Sequence, residues 1–349
     1  MNQNNEIHQI TDMDFRQLEE TIVMLGEPKY RAKQIWEGIY VSQVGDLGAI
    51  TNLPTDLRYN LKQSFHLSSL SVLTTIASRD HHTEKILFET RDNNRLESVL
   101  MTYDERNTLC ISTQSGCAMG CVFCATGQMG FFRSLSTGEI IEQVLYFSRQ
   151  LSTQAQKVTN IVFMGMGEPF HNYEATMKAI DILNDKNGFN LGARRFTIST
   201  VGIIPQIIRF ADEERQVNLA VSLHSIDDEI RSNMMPVNKK YPVEPLLKAC
   251  AYYVEKTNRR ISFEWALIEG INDSADMARR LANKLHHLLC HVNLIQLNPT
   301  AKYGKQGSSK DSAERFKEVL GSLGVPCTIR LRRGIDIQAG CGQLASTIK

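Results

Sequence analysis

The sequence has no apolar run approaching the ~18 residues that a membrane span requires. Its first fifteen residues, MNQNNEIHQITDMDF, carry no apolar core behind a basic start. The expectation is a cytoplasmic protein with no membrane partner. An excess of either charge is also lacking: 39 Lys and Arg stand against 38 Asp and Glu, a formal net charge of +1. Bulk charge does not announce nucleic acid, so any RNA site must come from local basic patches. No internal repeat and no low-complexity tract is visible, which excludes a solenoid. At 349 residues, 42% of them hydrophobic, the chain can bury a substantial core as one large domain or as one large and one small.

Cysteine, by contrast, is concentrated. Four of the eight cysteines fall in CISTQSGCAMGCVFC, where Cys117, Cys121 and Cys124 stand at the spacing Cys-x3-Cys-x2-Cys behind Cys110. In a reducing compartment this argues for metal or redox chemistry rather than a disulfide framework. Three thiolates on one tight loop suit three corners of an iron–sulfur cluster and leave the fourth iron open to a reacting molecule. Structural zinc is the competing reading, but it wants four ligands in paired units and the nearest partner pair is absent.

Along the chain, Phe15, Leu18, Ile22 and Leu25 recur at helical spacing over residues 12–25, with Gly26 and Pro28 as stop signals. A second helix is expected through Tyr30, Ile35, Trp36 and Ile39, and a third through Leu57, Leu61 and Phe65 after Pro54. Residues 1–70 therefore read as a small helical module. In it, Lys29, Arg31 and Lys33 lie beside Tyr30, Trp36 and Tyr40, a mix suited to RNA; a solvated basic face over an aromatic core is the commoner meaning of such a pattern. Residues 71–102 alternate with period two around the turn residues Asp92, Asn93 and Asn94, which predicts a β-hairpin or small β extension. It carries Glu97, by its surroundings an ordinary strand carboxylate.

Residues 103–349 alternate short β-branched runs with helical patterns. Strands are expected at 109–113, 160–164, 196–200, 218–223, 261–267 and 292–297, and a last one at 328–332. Six βα units imply a parallel sheet with helices outside it, open or curled into a partial barrel. In that arrangement active residues gather where strands end. The cysteine loop follows the first strand. GMGEP, residues 165–169, follows the second, with glycines that let backbone approach a ligand and Glu168 able to accept from an ammonium. Ser199, Ser222, His224 and Asn298 close later strands; each alone suits a turn, and together they suggest one pocket. Cys341 lies between two glycines, which argues for an accessible thiol, and Arg330, Arg332 and Arg333 before it could favour its thiolate or hold phosphate. Cys250, Cys290 and Cys327 read as small buried hydrophobes.

CAMGCVFC resembles the radical S-adenosylmethionine (SAM) signature, with Phe123 as its aromatic residue. The motifs NTLCISTQSGC, CATGQMGFFRSL, FMGMGEPFHN, RRFTISTVGIIP, VNLAVSLHS, NPT and GIDIQAGCGQL, in that order, resemble the RlmN/Cfr family of RNA adenine methyltransferases over nearly the whole chain. The resemblance implies a partial (β/α)6 radical SAM barrel with a helical amino-terminal accessory domain that helps bind RNA. It implies that Cys117, Cys121 and Cys124 ligate a 4Fe–4S cluster whose fourth iron takes SAM, and that Gly167, Glu168, Ser199, Ser222, Leu223, His224 and Asn298 contact that cofactor. It further implies that Cys341 becomes S-methylcysteine, that a deoxyadenosyl radical from a second SAM activates this methyl for addition to adenine, and that Glu97 accepts the ring proton. Cys110 then releases the product by forming a transient disulfide with Cys341.

RlmN-type members act on C2 of an adenosine in the peptidyl transferase centre of 23S ribosomal RNA and on an adenosine beside the transfer RNA anticodon. Pro169 and RRGIDIQAGCGQL favour that side over Cfr-type methylation at C8. The resemblance also implies an electron donor such as a flavodoxin system and a monomer. From another class, a non-enzymatic metal-containing RNA-binding module competes, but it gives Cys341 and Cys110 no role.

Overall fold

The computed structural model describes residues 8–346; residues 1–7, part of the amino-terminal stretch read above for a leader, and 347–349 lie outside the described residues. The first helix, α1 (Phe15–Met24), starts one residue after Asp14 because Asp14 and Gln17 cap each other: the Asp14 carboxylate accepts the Gln17 N–H at 2.8 Å, and the Gln17 side chain accepts the Asp14 N–H at 3.1 Å. Helices α2 (Tyr30–Tyr40) and α3 (Thr55–Ser64) follow. Phe65, expected inside the third helix, is instead extended and pairs with His8 in a short parallel bridge.

These helices do not keep a core of their own. Ile22, Ile35, Trp36 and Leu61 belong to the same buried cluster as the strands of the body. Trp36 and Tyr40 are buried, with ring centroids 4.4 Å apart. The neighbouring cations pair with carboxylates, Lys29 with Glu19 at 3.3 Å and Lys33 with Glu37 at 3.8 Å. Trp36 and Tyr40 are core, as the commoner meaning of that pattern expects, because burying two large rings gains more than exposing them, and Tyr30 alone of the three faces solvent.

The body is built on a ten-stranded sheet whose spatial order follows the chain. Strands β1 (Leu70–Ala77), β2 (Thr83–Thr90), β3 (Arg95–Tyr103) and β4 (Arg106–Cys110) form an antiparallel meander. The expected hairpin turn at Asp92–Asn94 joins β2 to β3, yet the extension is three strands continuous with the body's sheet: Tyr103 pairs with Arg106 across the next turn. From β4 onward all pairing is parallel, through β5 (Asn160–Phe163), β6 (Phe196–Thr200), β7 (Asn218–Ser222), β8 (Ile261–Leu267), β9 (Cys290–Gln296) and β10 (Cys327–Ile329).

A five-residue helix, α4 (Ala125–Met129), sits in the loop after β4. The connecting helices are α5 (Thr137–Ser152), α6 (Tyr173–Asn184), α7 (Ile204–Asp212), α8 (Asp228–Met234), α9 (Val243–Thr257), α10 (Ala275–Leu285) and α11 (Lys310–Ser322). Their apolar stripes cover the sheet, so β8 is buried almost end to end, as parallel strands are. Thr108 and Cys110 on β4 line the same cavity as Thr328 on β10. The sheet therefore curls until its first and last parallel strands face each other across a lumen without hydrogen-bonding, which is a partial barrel of six βα units closed by a short final strand. Among the described residues, no helix is long and apolar enough to cross a membrane.

Candidate functional site

Cys117, Cys121 and Cys124 lie on the loop that interrupts a two-stranded ribbon, Gln114–Gly116 paired with Phe131–Ser134. Gly116 has φ +72°, and a Cβ there would stand 2.1 Å from the Gly130 carbonyl, so only glycine lets the ribbon close under the cysteines. The Cys117 N–H donates to the Gly130 carbonyl at 2.8 Å, and the Val122 N–H reaches across to Met234 at 3.0 Å. Arg133 fastens the ribbon from outside, with bidentate bonds to Asp92 at 2.6 Å and to Glu139 at 2.7 Å.

The carboxyl-terminal segment is tied to this loop. The Ala125 N–H donates to the Gly342 carbonyl at 2.7 Å, and the Thr126 hydroxyl donates to the Leu344 carbonyl at 2.7 Å. Asn298, at the end of β9, donates from Nδ2 to the Cys341 carbonyl at 3.1 Å. Cys341 is thereby held against the cysteine loop although it is remote in sequence.

Two cavities meet at that point. The inner one, about 150 Å³, is lined by Cys121, Cys124, Gly167, Glu168, Ser199, Ser222, His224, Glu264, Asn298, Arg330 and Cys341 among others. The outer one, about 490 Å³, runs down the lumen and takes in Cys110 with Asn298, Arg330 and Cys341. Cys341, Arg330 and Asn298 are thus walls of both. Cys341 is exposed as a residue, while burial of its thiol pushes the pKa up; the charge and hydrogen bond of Arg330 pull it down and Glu264 adds to the rise. Burial pushes the Cys110 thiol up to about 12, with Cys341 contributing in the same direction.

The strand ends supply polar groups with fixed orientation. Glu168 is buried; its carboxylate accepts the Phe170 N–H at 3.0 Å and the Val201 N–H at 2.9 Å, and burial pushes its pKa up to about 7. Gly167, at φ +101°, packs on Gln114, whose side-chain oxygen accepts the Glu168 N–H at 2.9 Å. His224 adopts φ +56° and is buried; its Nδ1 accepts the Ala266 N–H at 2.9 Å, so Nε2 carries the proton. Burial, with Arg231 nearby, pushes its pKa down to about 3 and keeps the ring neutral.

Not every residue singled out by the sequence reaches the cavities. Cys117 is buried behind the inner one. Leu223 is buried in the core with its N–H bonded to Glu264 and its carbonyl to Arg231; it can only back the pocket wall. Glu97 lines neither cavity: its carboxylate is 2.9 Å from Lys85 Nζ and accepts the Ala345 N–H at 2.9 Å.

Three contributors escaped sequence reasoning. Arg231, fully buried, donates to the carbonyls of Val201, Ser222 and Leu223 and so braces the ends of β6 and β7. Glu264 accepts from Asn293 at 2.8 Å and leaves Oε2 buried without a hydrogen bond, 3.7 Å from Arg330. A lone acid inside the apolar strand ISFEWAL was the signal available for it. Gln114 reads as an ordinary loop residue.

The donor set fits a cluster. Burial pushes the Cys117 thiol up to about 12 and Cys121 well above the usual thiol range. Two shielded thiols that resist ionisation, with Cys124 beside them on the same loop, suit a strongly cationic partner. A cluster takes each thiolate on a different iron, so three cysteines suffice where structural zinc wants four ligands. The orphaned Glu264 oxygen and the Glu168 carboxylate suit a ligand with a positively charged end.

A curled parallel sheet with this loop at its mouth is the architecture of the Radical SAM superfamily, whose model matches residues 111–282. A second model, described as the ribosomal RNA large subunit methyltransferase N-terminal domain, matches residues 8–67. A probable dual-specificity RNA methyltransferase RlmN from Caldanaerobacter subterraneus is 44% identical over 338 residues, covering 97% of this chain and 98% of that one. Its counterpart from Staphylococcus saprophyticus is 45% identical, covering 98% and 93%. The crystal structure of a radical SAM methyltransferase from Sphaerobacter thermophilus superposes with a TM-score of 0.96 at 46% identity, covering 97% of this chain and all of the other. The chain belongs to the RlmN family of radical SAM enzymes, and its cofactors are a 4Fe–4S cluster and SAM.

Proposed function

We propose that this chain methylates C2 of an adenosine in 23S ribosomal RNA and of an adenosine beside the transfer RNA anticodon, carrying the methyl carbon on Cys341. The observation that supports this reading most is the place of Cys341 on the wall common to both cavities. A thiol there can exchange carbon with a cofactor on one side and with a nucleobase on the other. The dual-specificity RNA methyltransferases to which the chain is similar support the two RNA classes.

In this reading Cys117, Cys121 and Cys124 hold the cluster. Gly167, Glu168, Ser199, Ser222, His224 and Asn298 bind SAM, with Leu223 behind them. The bound pair supplies an open iron, an electron, a transferable methyl group and, on reduction, a carbon radical. Cys341 is the sulfur nucleophile, needed because C2 of adenine is an amidine carbon that a sulfonium methyl group cannot alkylate directly. Neutral His224 gives a hydrogen bond from Nε2 without adding charge. Glu97 accepts the ring proton once Ala345 lets go of its carboxylate. Cys110 then attacks the Cys341 sulfur: the sulfur–sulfur bond forms as the sulfur–carbon bond to the base breaks, the released carbon takes up a proton to become the methyl group, and the disulfide is left for a cellular reductant.

Residues 1–70 serve as the RNA-binding accessory module, 71–102 as the β extension and 103–349 as the radical SAM core. We place the enzyme in the cytoplasm as a monomer served by a flavodoxin-type donor. The deciding experiment is anaerobic reconstitution with SAM and either RNA, followed by mass and chromatographic comparison of the nucleosides with 2-methyl- and 8-methyladenosine. A product at C8 reassigns the regiochemistry, and no methylated adenosine at all returns the protein to an RNA-binding module.

A further inference from the structure

The outer cavity is lined by four arginines, Arg106, Arg330, Arg332 and Arg333, and by no Asp, Glu or Lys. In a chain of net charge +1 this is a concentrated patch of one sign. Arg330 has a carboxylate partner in Glu264. The other three form no ion pair among the described residues; Asp80 senses the charge of Arg333 without pairing with it.

Two of these cations share one ring. The Arg106 guanidinium carbon lies 4.2 Å and that of Arg333 4.3 Å from the ring centroid of Tyr103, itself part of the cavity wall. The π face attracts each cation, so the ring lets two like charges sit close together. Arg333 also donates from Nη1 to the Thr102 carbonyl at 3.4 Å, and its Nε is buried without a partner. Arg332 is steered by a bond from its Nε to Asn298 at 3.3 Å. Guanidiniums gathered in this way and left without carboxylates suit a phosphodiester, whose oxygens take bidentate bonds. The SAM carboxylate is not that anion, because this cavity lacks Cys121, Cys124 and Glu168 and lies on the other side of Cys341.

We propose that Arg106, Arg332 and Arg333, with Tyr103 as their positioning residue, form a phosphate clamp that grips the RNA backbone beside the nucleotide whose base meets Cys341. The clamp rests on the RNA-methyltransferase reading above. It places the strand on the open side of the curled sheet, where a splayed-out nucleotide can enter the lumen with its neighbours outside.

The test uses the full-length reconstituted enzyme and a fluorescent RNA stem–loop containing the target adenosine, titrated anaerobically at rising KCl. Each of Arg106→Gln and Arg333→Gln should weaken binding and lower the slope of log Kd against log salt by about 0.7–0.9 per lost phosphate contact. Tyr103→Leu should act like the arginine variants, whereas Tyr103→Phe, which keeps the ring, should restore wild-type affinity and slope. Arg279→Gln, at an exposed position of α10 where Arg279 pairs with Asp276, should change neither. Iron content and SAM binding at wild-type level report an intact barrel, and exposed Arg106 keeps the test available if a variant at Arg333 fails to fold. If wild type binds and methylates the stem–loop while both arginine variants keep its slope, the clamp is overturned and the functional reading stands. If wild type neither binds nor methylates it, that reading falls, and the clamp with it.

Discussion

The Glu97 carboxylate accepts the backbone N–H of Ala345 at 2.9 Å. Strand β3, which leads into the barrel, thus fastens the segment four residues past Cys341. Lys85 completes the arrangement: its ammonium is 2.9 Å from the other Glu97 oxygen and donates to the Gln338 carbonyl at 3.3 Å. One buried ion pair therefore grips the Cys341 segment on both sides of the cysteine.

Glu97→Gln should loosen that grip. The amide still accepts from Ala345, but Lys85 is left as a buried, unpaired cation, at a cost of about 3 kcal/mol. Denaturant unfolding should show the loss, and hydrogen exchange at Ala345 should quicken. Exchange at the wild-type rate would mean that the pair does not secure the segment.

Cys341→Ala should abolish RNA methylation while leaving iron content unchanged, since the other contacts of the segment run through backbone atoms of Gly342 and Leu344. Product analysis beside iron quantitation checks it. Residual turnover would remove Cys341 as the methyl carrier.

Cys110→Ala should stall after carbon–carbon bond formation, leaving RNA covalently attached through Cys341. Denaturing gels and peptide mapping would reveal the adduct. Normal turnover without an adduct takes Cys110 out of the reaction.

Gly167→Ala introduces a Cβ 2.6 Å from the Gln114 side chain at φ +101°, a backbone strain of about 1–3 kcal/mol. Gln114 must move, and with it the hydrogen bond that sets Glu168. Equilibrium binding should show SAM affinity falling by about tenfold or more, the equivalent of ~1.4 kcal/mol, with a smaller change in thermal stability. Retained affinity would mean that Glu168 is not held through Gln114.

Asp92 supplies a pH dependence. Its hydrogen bonds with Arg133 hold its carboxyl well below the usual carboxylate range. A depressed folded-state pKa gives stability that is complete above the unfolded value of about 3.9 and is lost as pH falls toward the folded one. Asp92→Asn should therefore melt below wild type at pH 7, and the two should converge in acid. Because Asp92 is half exposed, solvent screening keeps the difference under about 1 kcal/mol. Parallel melting curves over this range would show that the Asp92–Arg133 pair contributes nothing.

Much of this protein is written in local pattern. The three-residue and two-residue cysteine spacings, the alternation of β-branched runs with helical periods, and caps such as Asp14 act over a few residues, so the sequence displays them directly. The strands at Phe196–Thr200 and Ile261–Leu267 agree residue for residue. Others shift at their ends. Thr328 to Arg332 reads as a strand, yet the strand spans only Cys327–Ile329, with one more bond to its neighbour from the Arg330 N–H to the Leu294 carbonyl at 2.8 Å.

Tertiary structure decided the rest. Local chemistry makes Cys341 an accessible thiol, but only the curl of the sheet and the bonds from the Ala125 N–H and the Thr126 hydroxyl place it between the two cavities. Glu97 is an ordinary strand carboxylate until Lys85 and Ala345 close on it. Trp36 and Tyr40 lie beside cations in the chain and are core residues in space. The physical reason is common to all three: periodicity, capping and ligand spacing depend on neighbours along the chain, whereas the partner of a buried charge or a shared wall depends on which distant segments the closing sheet brings together.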